Sequence, residues 1–168
     1  MHKIPTFPAV LMFCEDIREE IQGKRTIVGT FNDNITVPGF PGQMSQLGIF
    51  MRANFPPTRM PKRLNLKLEA PWLKGGMQLG EISKDVLEQS RKKGLDELAP
   101  TVGLVVTGLV SPFPVLQAGR VNAILDVDGK EYLVGFINFV SAEKNSASPL
   151  KTKALRRLPS NKPKKAKS

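Results

Sequence analysis

The sequence is poor in the residue types that build most catalytic and metal centres. Its 168 residues include one cysteine, Cys14, and one histidine, His2. A lone cysteine cannot form a disulfide within the chain, and one cysteine with one histidine falls short of the usual zinc ligand set. A histidine at position 2 lies at an end that we expect to be frayed, whereas a nucleophilic pair needs a fixed imidazole ring. These shortages predict no enzymatic activity, no metal and no cofactor.

Long hydrophobic runs are also missing. No apolar stretch approaches the roughly 18 residues of a membrane span. The apolar run at 9–14 follows Pro5 and Pro8, and it precedes Glu15 and Asp16 rather than a small-residue cleavage site. The sequence therefore predicts a soluble, cytoplasmic protein. Within this run, Cys14 is predicted to be a buried and unreactive thiol.

Acidic residues are absent from the C-terminal end. The formal net charge is +10, and nine basic residues stand from position 144 onward without one acidic residue. Residues 1–143 hold the other 16 basic residues against all 15 acidic ones and are almost neutral. The segment 144–168 also lacks aromatic residues, so it cannot bury enough apolar area to offset its ordering entropy. We predict a folded domain at 1–143 and a disordered basic tail at 144–168.

The basic tail is the segment whose composition indicates a class of partner. Lysine and arginine without acids attract phosphates by counterion release, and they attract other polyanions in the same way. Specific base reading is not indicated, because no aromatic residues accompany the charges. The candidate polyanion-binding residues are Lys151, Lys153, Arg156, Arg157, Lys162, Lys164, Lys165 and Lys167. A plain solubilising tail is the alternative.

Alternation of apolar and polar residues dominates the domain. In 63–69, three leucines share one face and four polar residues share the other, which is the period of a strand and not of a helix. The run at 9–14 is apolar on both faces and predicts a central or doubly covered strand. Residues 17–21 are predicted to continue this strand after a bulge. Further strands are predicted at 25–31, 35–37, 47–55, 102–110, 120–127 and 132–140.

Turns and one helix complete this prediction. The pair Asp128-Gly129 is a type I′ hairpin signal, and the residues at 111–114 are predicted to interrupt regular structure. Helical spacing occurs only near 82–93, with Ser83 as N-cap and Gly94 as C′ residue. The pattern predicts a mostly β domain, an antiparallel β-sandwich of the Ig-like or C2-like kind, with one helix. A barrel is the alternative.

Other short motifs are interpreted as structural. The acidic residues at 126–129 lack the further ligands of a calcium loop, and the acidic cluster at 15–20 is expected to be a solvated strand end. The proline-rich, basic stretch at 54–63 and the lone Trp72 could contact a partner. An ordinary inter-strand connection is the favoured interpretation of that stretch.

Two ordered groups of residues carry a family resemblance. The first group runs through Cys14-Glu15-Asp16-Ile17-Arg18-Glu19-Glu20, Gly23-Lys24, Ile27-Val28-Gly29-Thr30-Phe31 and Val37-Pro38-Gly39-Phe40-Pro41, and the second runs from Ala118-Gly119-Arg120 to Leu125-Asp126-Val127-Asp128-Gly129. Together they resemble an uncharacterised bacterial family of small β-rich domains, one of the domains of unknown function. The resemblance implies a β-sandwich-like fold and implies no particular activity.

Three classes of function are compatible with these patterns. The first is a non-enzymatic interaction or structural module that binds an unknown protein partner through sheet edges and loops. The second is a nucleic-acid-associated protein that binds phosphates non-specifically through its tail. The third is an enzyme or ligand carrier with a site between the sheets. We expect the first and keep the second as its main alternative.

Overall fold

In the computed structural model, which describes residues 2–142, eleven strands and one α-helix are connected by short turns. The strands are β1 (Ala9–Glu19), β2 (Arg25–Thr30), β3 (Asn34–Val37), β4 (Gly42–Met44), β5 (Leu47–Phe55), β6 (Leu64–Glu69), β7 (Met77–Ile82), β8 (Val102–Val110), β9 (Phe113–Val115), β10 (Gly119–Val127) and β11 (Lys130–Ser141). The helix α1 spans Lys84–Asp96, and 3-10 turns lie at Ile21–Gly23 and Pro57–Arg59.

The strands form two large sheets and one small one. The four-stranded sheet has the order β2-β1-β5-β8, the five-stranded sheet has the order β3-β11-β10-β6-β7, and β4 pairs with β9. Every pairing is antiparallel except that of β3 with β11, which is parallel. The predicted mostly β, antiparallel fold with one helix is therefore confirmed, with one parallel edge strand added.

The two large sheets share one hydrophobic core. Side chains that alternate along each strand point into it, as the three leucines of β6 illustrate, since all three are fully buried. The four-stranded sheet contributes chiefly β5, and the five-stranded sheet contributes β6, β10 and β11. The fully buried side chains of the core include Leu47, Ile49, Met51, Leu64, Leu66, Leu68, Leu125, Ile137 and Phe139.

The helix begins as the sequence predicts and ends later. The Ser83 side chain accepts a hydrogen bond from the Val86 amide at 3.4 Å. The predicted C′ position of Gly94 is wrong, because the helix continues to Asp96 and Gly94 is buried inside it. A Cβ at Gly94 would lie 2.4 Å from Val102 Cγ2 and 2.9 Å from Pro57 Cγ. The glycine therefore serves close packing rather than helix termination.

Other boundaries also differ from the prediction. β1 is one strand from Ala9 to Glu19, and its register against β2 does not shift, but the pairing skips Glu15 and Gly29, where Gly29 has a φ of 62°. This irregularity lies where the sequence predicted a bulge. The sequence did not predict β7, and β9 lies where an interruption was expected. The hairpin at 128–129 is confirmed, since Asp128 and Gly129 have φ of 53° and 79°. The predicted tail at 144–168 lies outside the described residues, and its disorder stays a prediction.

Candidate interaction surface

The outer face of the five-stranded sheet is largely polar. Its outward residues are those that alternate with the core residues, and they align across β6, β10, β11 and β3. The polar ones are Asn65, Lys67, Glu69, Arg120, Asn122, Asp126, Glu131, Asn138 and Asn34, and the apolar ones include Ile124, Leu133, Phe136 and Val140. Arg120 lies over the Phe136 ring at 4.1 Å from its centroid, and its Nε donates to Asn138 Oδ1 at 3.2 Å. A surface cavity of about 560 Å³ opens beside these two polar residues.

A four-residue ion cluster lies on the same polar face. Lys67 Nζ lies 2.6 Å from Glu131 Oε1 and 2.8 Å from Glu69 Oε1. His2 Nε2 lies 2.9 Å from Glu69 Oε2, and its Nδ1 lies 3.3 Å from Glu131 Oε2. The hydrogen bond to Glu131, followed by that to Glu69, raises the pKa of Lys67 above its ordinary value. The hydrogen bond from Lys67 lowers the pKa of Glu69.

This cluster fixes the N-terminal segment on the sheet. The expected fraying at His2 is wrong, because its side chain is only 28% exposed and contacts two glutamates. The backbone of Lys3 also bonds to β11, with Leu133 N donating to Lys3 O at 2.9 Å. One ligand atom from each of His2, Glu69 and Glu131 comes within 4.8 Å of the others. The Lys67 ammonium contacts both carboxylates and offsets one of their two negative charges, so the arrangement is an ion-pair network.

The outer face of the four-stranded sheet is mostly apolar. Three rows of aligned residues cross β1, β5 and β8 on the side opposite the core. The first row is Val10, Arg52 and Val105, the second is Met12, Phe50 and Thr107, and the third is Cys14, Gly48 and Leu109. We call these nine residues the outer patch. Val10 is 55% exposed and Leu109 is 50% exposed, and no element of the described chain covers them.

One end of the outer patch carries a single charge. Arg52 is the only charged residue of the nine, and it is exposed. Its Nε donates to Asn54 Oδ1 at 3.3 Å, and no acidic side chain of residues 2–142 forms an ion pair with it. The neighbouring glycine on β8 leaves room for the guanidinium, since a Cβ at Gly103 would lie 2.6 Å from Arg52 Nε. Nothing in the described chain therefore neutralises this charge.

The other end of the outer patch is partly closed by β1 itself. Ile17 lies over Gly48, where an added Cβ would be 3.5 Å from Ile17 Cγ1 and 2.8 Å from Cys14 Sγ. Cys14 is fully buried there, as predicted, and burial raises the pKa of its thiol. Beside it lies a shallow depression of about 190 Å³, which we call the hollow; it is lined by Ile17, Glu19, Thr107, Gly108 and Leu109.

The sequence motifs singled out as possible contacts have structural roles. Trp72 Nε1 donates to Pro114 O at 2.9 Å, and its ring packs edge-on against Phe139. In the stretch at 54–63, Pro57 is buried against α1. The Asp128 carboxylate accepts from the backbone amides at 62 and 63 at 2.8 and 2.9 Å. These residues therefore connect strands, as the favoured interpretation expected.

Sequence reasoning missed the outer patch, although a signal was present. The run at 9–14 is apolar on both faces, and it was interpreted as a central or doubly covered strand. The strand is central, because β1 lies between β2 and β5. Its outer side, however, is covered within residues 2–142 only at Cys14, and Val10 at its start is 55% exposed. The eight candidate polyanion-binding residues of the tail lie outside the described part of the chain.

Comparison with known proteins adds the family. No curated protein and no solved structure gave a match to this chain. Within residues 2–142, no helix is both long and apolar enough to cross a membrane. One family profile matches residues 9–138, which include both large sheets, the helix and the outer patch. The chain thus belongs to the family of unknown function DUF6941.

Proposed function

We propose that this protein is a non-enzymatic, cytoplasmic interaction module that binds a protein partner on the outer patch. The support is the contrast between the two outer faces. One carries mostly polar side chains beside Phe136, whereas the other carries the exposed Val10 and Leu109 beside the half-buried Met12, Phe50 and Val105. Contiguous apolar patches on a protein surface commonly mark binding sites.

The position of the outer patch on rigid structure favours recognition. Its residues belong to three paired strands whose opposite faces are fully packed in the core, as Ile49 and Met51 show for β5. The side chains of Val10, Phe50 and Leu109 are therefore held in fixed relative positions before a partner arrives. Preorganisation of this kind lowers the entropic cost of binding.

Site-specific photocrosslinking in the native host tests the proposal. The photoreactive residue p-benzoylphenylalanine replaces Leu109 on the outer patch or, as the matched control, the exposed Gln78 on β7 of the other sheet. We expect a discrete protein adduct from position 109 and none from position 78. Equal labelling from both positions, or no adduct from 109 in any growth condition, would refute the outer patch as the binding face.

We propose non-specific polyanion binding by the tail as a second function. The support is the nine basic residues without an acidic one from position 144 onward. Replacement of the eight candidate residues, Lys151 to Lys167, by glutamine in the full chain should abolish binding to duplex DNA. The unaltered protein should show a steep fall of affinity with salt. Binding that persists at about 0.5 M salt, where charges are strongly screened, would contradict this proposal.

A further inference from the structure

The outer patch is complementary to itself. Its first row is exposed and positively charged, because Val10 is 55% exposed and Arg52 lies beside it. Its third row ends in the hollow, which Glu19 lines. The second row lies midway, two residues from the first row and two residues from the third row along each strand. A twofold axis that runs across the strands through the second row would therefore place each first row over the other copy's third row, beside its hollow.

We propose that a second copy of this chain occupies the outer patch, in a symmetric dimer that pairs Arg52 of each copy with Glu19 of the other. This inference rests on the proposed function and names its partner. In a twofold interface every contact occurs twice, so the Arg52–Glu19 pair forms two times and each arginine has its own carboxylate. Val105 of one copy then lies over Leu109 of the other, and Val10 lies over the Cys14 end of the third row.

The charges of the two residues are available for this pairing. The Glu19 side chain is 78% exposed, and its only ion pair within residues 2–142 is a 3.5 Å contact with Arg25. Arg52 has no ion pair within the same residues. The chain's own segment 144–168 fits less well, because it has no acidic residue to place against Arg52. A second copy supplies a carboxylate, that of Glu19 beside its hollow.

The dimensions of the outer patch set the expected strength of the dimer. Four residue steps separate Val10 from Cys14, which is about 14 Å along a strand, and two strand spacings are about 10 Å. Two such faces bury less than the roughly 1,600 Å² of a standard stable interface. We therefore expect a reversible dimer that forms at micromolar to millimolar concentration.

Reciprocal charge reversal with analytical ultracentrifugation tests the dimer. The full-length protein is studied up to about 1 mM, a range that covers weak complexes. Arg52→Glu and Glu19→Arg should each weaken dimerisation at least about tenfold, since each places like charges opposite each other. The double variant Arg52→Glu/Glu19→Arg should restore it to within about threefold, because both pairs re-form with reversed sign. Lys130→Glu, an exposed reversal on the distant hairpin, is the matched control and should change nothing.

Three outcomes would overturn the inference. They are a protein that stays monomeric over the whole range, a dimer indifferent to both single reversals, and a double variant as weak as the singles. Unfolding midpoints of all variants show whether a loss reflects misfolding, which is not expected at two exposed side chains. A monomer that still gives a hetero-adduct from position 109 in the host would refute the dimer and leave the proposed function standing. A monomer without any adduct would refute both.

Discussion

The close packing of α1 against the sandwich gives a prediction whose sign depends on two opposing effects. Gly94→Ala replaces a glycine inside a helix, and helix propensity alone would favour alanine by up to about 1 kcal/mol. The added methyl would lie 2.4 Å from Val102 Cγ2 and 2.9 Å from Pro57 Cγ. Overpacking of this kind costs about 1–3 kcal/mol, and neither a proline ring nor a β-branched valine can rotate away cheaply. We expect a net loss of about 1–2 kcal/mol.

Urea unfolding followed by circular dichroism measures this loss. The midpoint should fall while the denaturant slope stays unchanged, because only the native state is altered. The matched control is Gly39→Ala, since an added Cβ there has no heavy atom within 4 Å. The control should be neutral or slightly stabilising. A Gly94→Ala protein as stable as the natural one would refute the argument that this glycine is required for packing.

A double-mutant cycle locates the clash. Val102→Ala alone should destabilise the protein, because it removes two methyl groups from the contact between β8 and α1. In the Gly94→Ala background the same truncation should cost about 1 kcal/mol less, since it also relieves the overpacking. Strictly additive free energies would show that the two side chains do not meet.

Three further predictions concern the core, the ion cluster and the thiol. Leu66→Ala should lower the free energy of unfolding by about 2–5 kcal/mol, whereas Ile4→Ala, at a residue 82% exposed, should change it by less than about 0.5 kcal/mol; similar losses would contradict the assigned core. Lys67 lowers the pKa of Glu69 below its ordinary 4.5, so the stabilisation it brings is present above that pH and is lost as the pH falls through the lowered value. Glu69→Gln should flatten this acid limb in urea titrations, and parallel limbs would count against the cluster. Because burial raises the pKa of Cys14, a disulfide reagent at pH 8 should label the native protein far more slowly than the urea-unfolded one, and equal rates would place the thiol at the surface.

The sequence predicts the strands well where one face is buried. The leucines of β6 alternate strictly with polar residues, and this period has one structural interpretation. The hairpin at 128–129 is equally determined, because Asp-Gly supplies two positive φ angles. By contrast, β7 contains Gly80 and alternates weakly, so its strand depends on pairing with β6 rather than on its own pattern. The role of Gly94 was also not predictable, since it is set by tertiary contacts with Val102 on β8 and with Pro57, 37 positions earlier in the chain.

The candidate surface was less predictable than the fold. The residues of the outer patch come from three strands, and only the register brings Val10, Arg52 and Val105 into one row. An apolar strand such as 9–14 predicts cover on both sides, but it does not say whether the cover comes from the same chain. The ion cluster could not be predicted either, because it joins His2 to Glu69 and Glu131, which lie 67 and 129 positions later in the chain.

The way in which β1 covers part of its own sheet supports the argument for a second copy. Ile17 lies over Gly48 and shields Cys14, so the third row of the outer patch is partly closed from within the chain. The glycine is necessary for this closure, since a Cβ at position 48 would collide with the cysteine sulfur. The first row has no such cover, and its charge has no countercharge within residues 2–142. In the symmetric dimer the other copy covers the first row, as Ile17 covers the third row within one chain. Glu19, at the end of the same strand β1, supplies the carboxylate for Arg52.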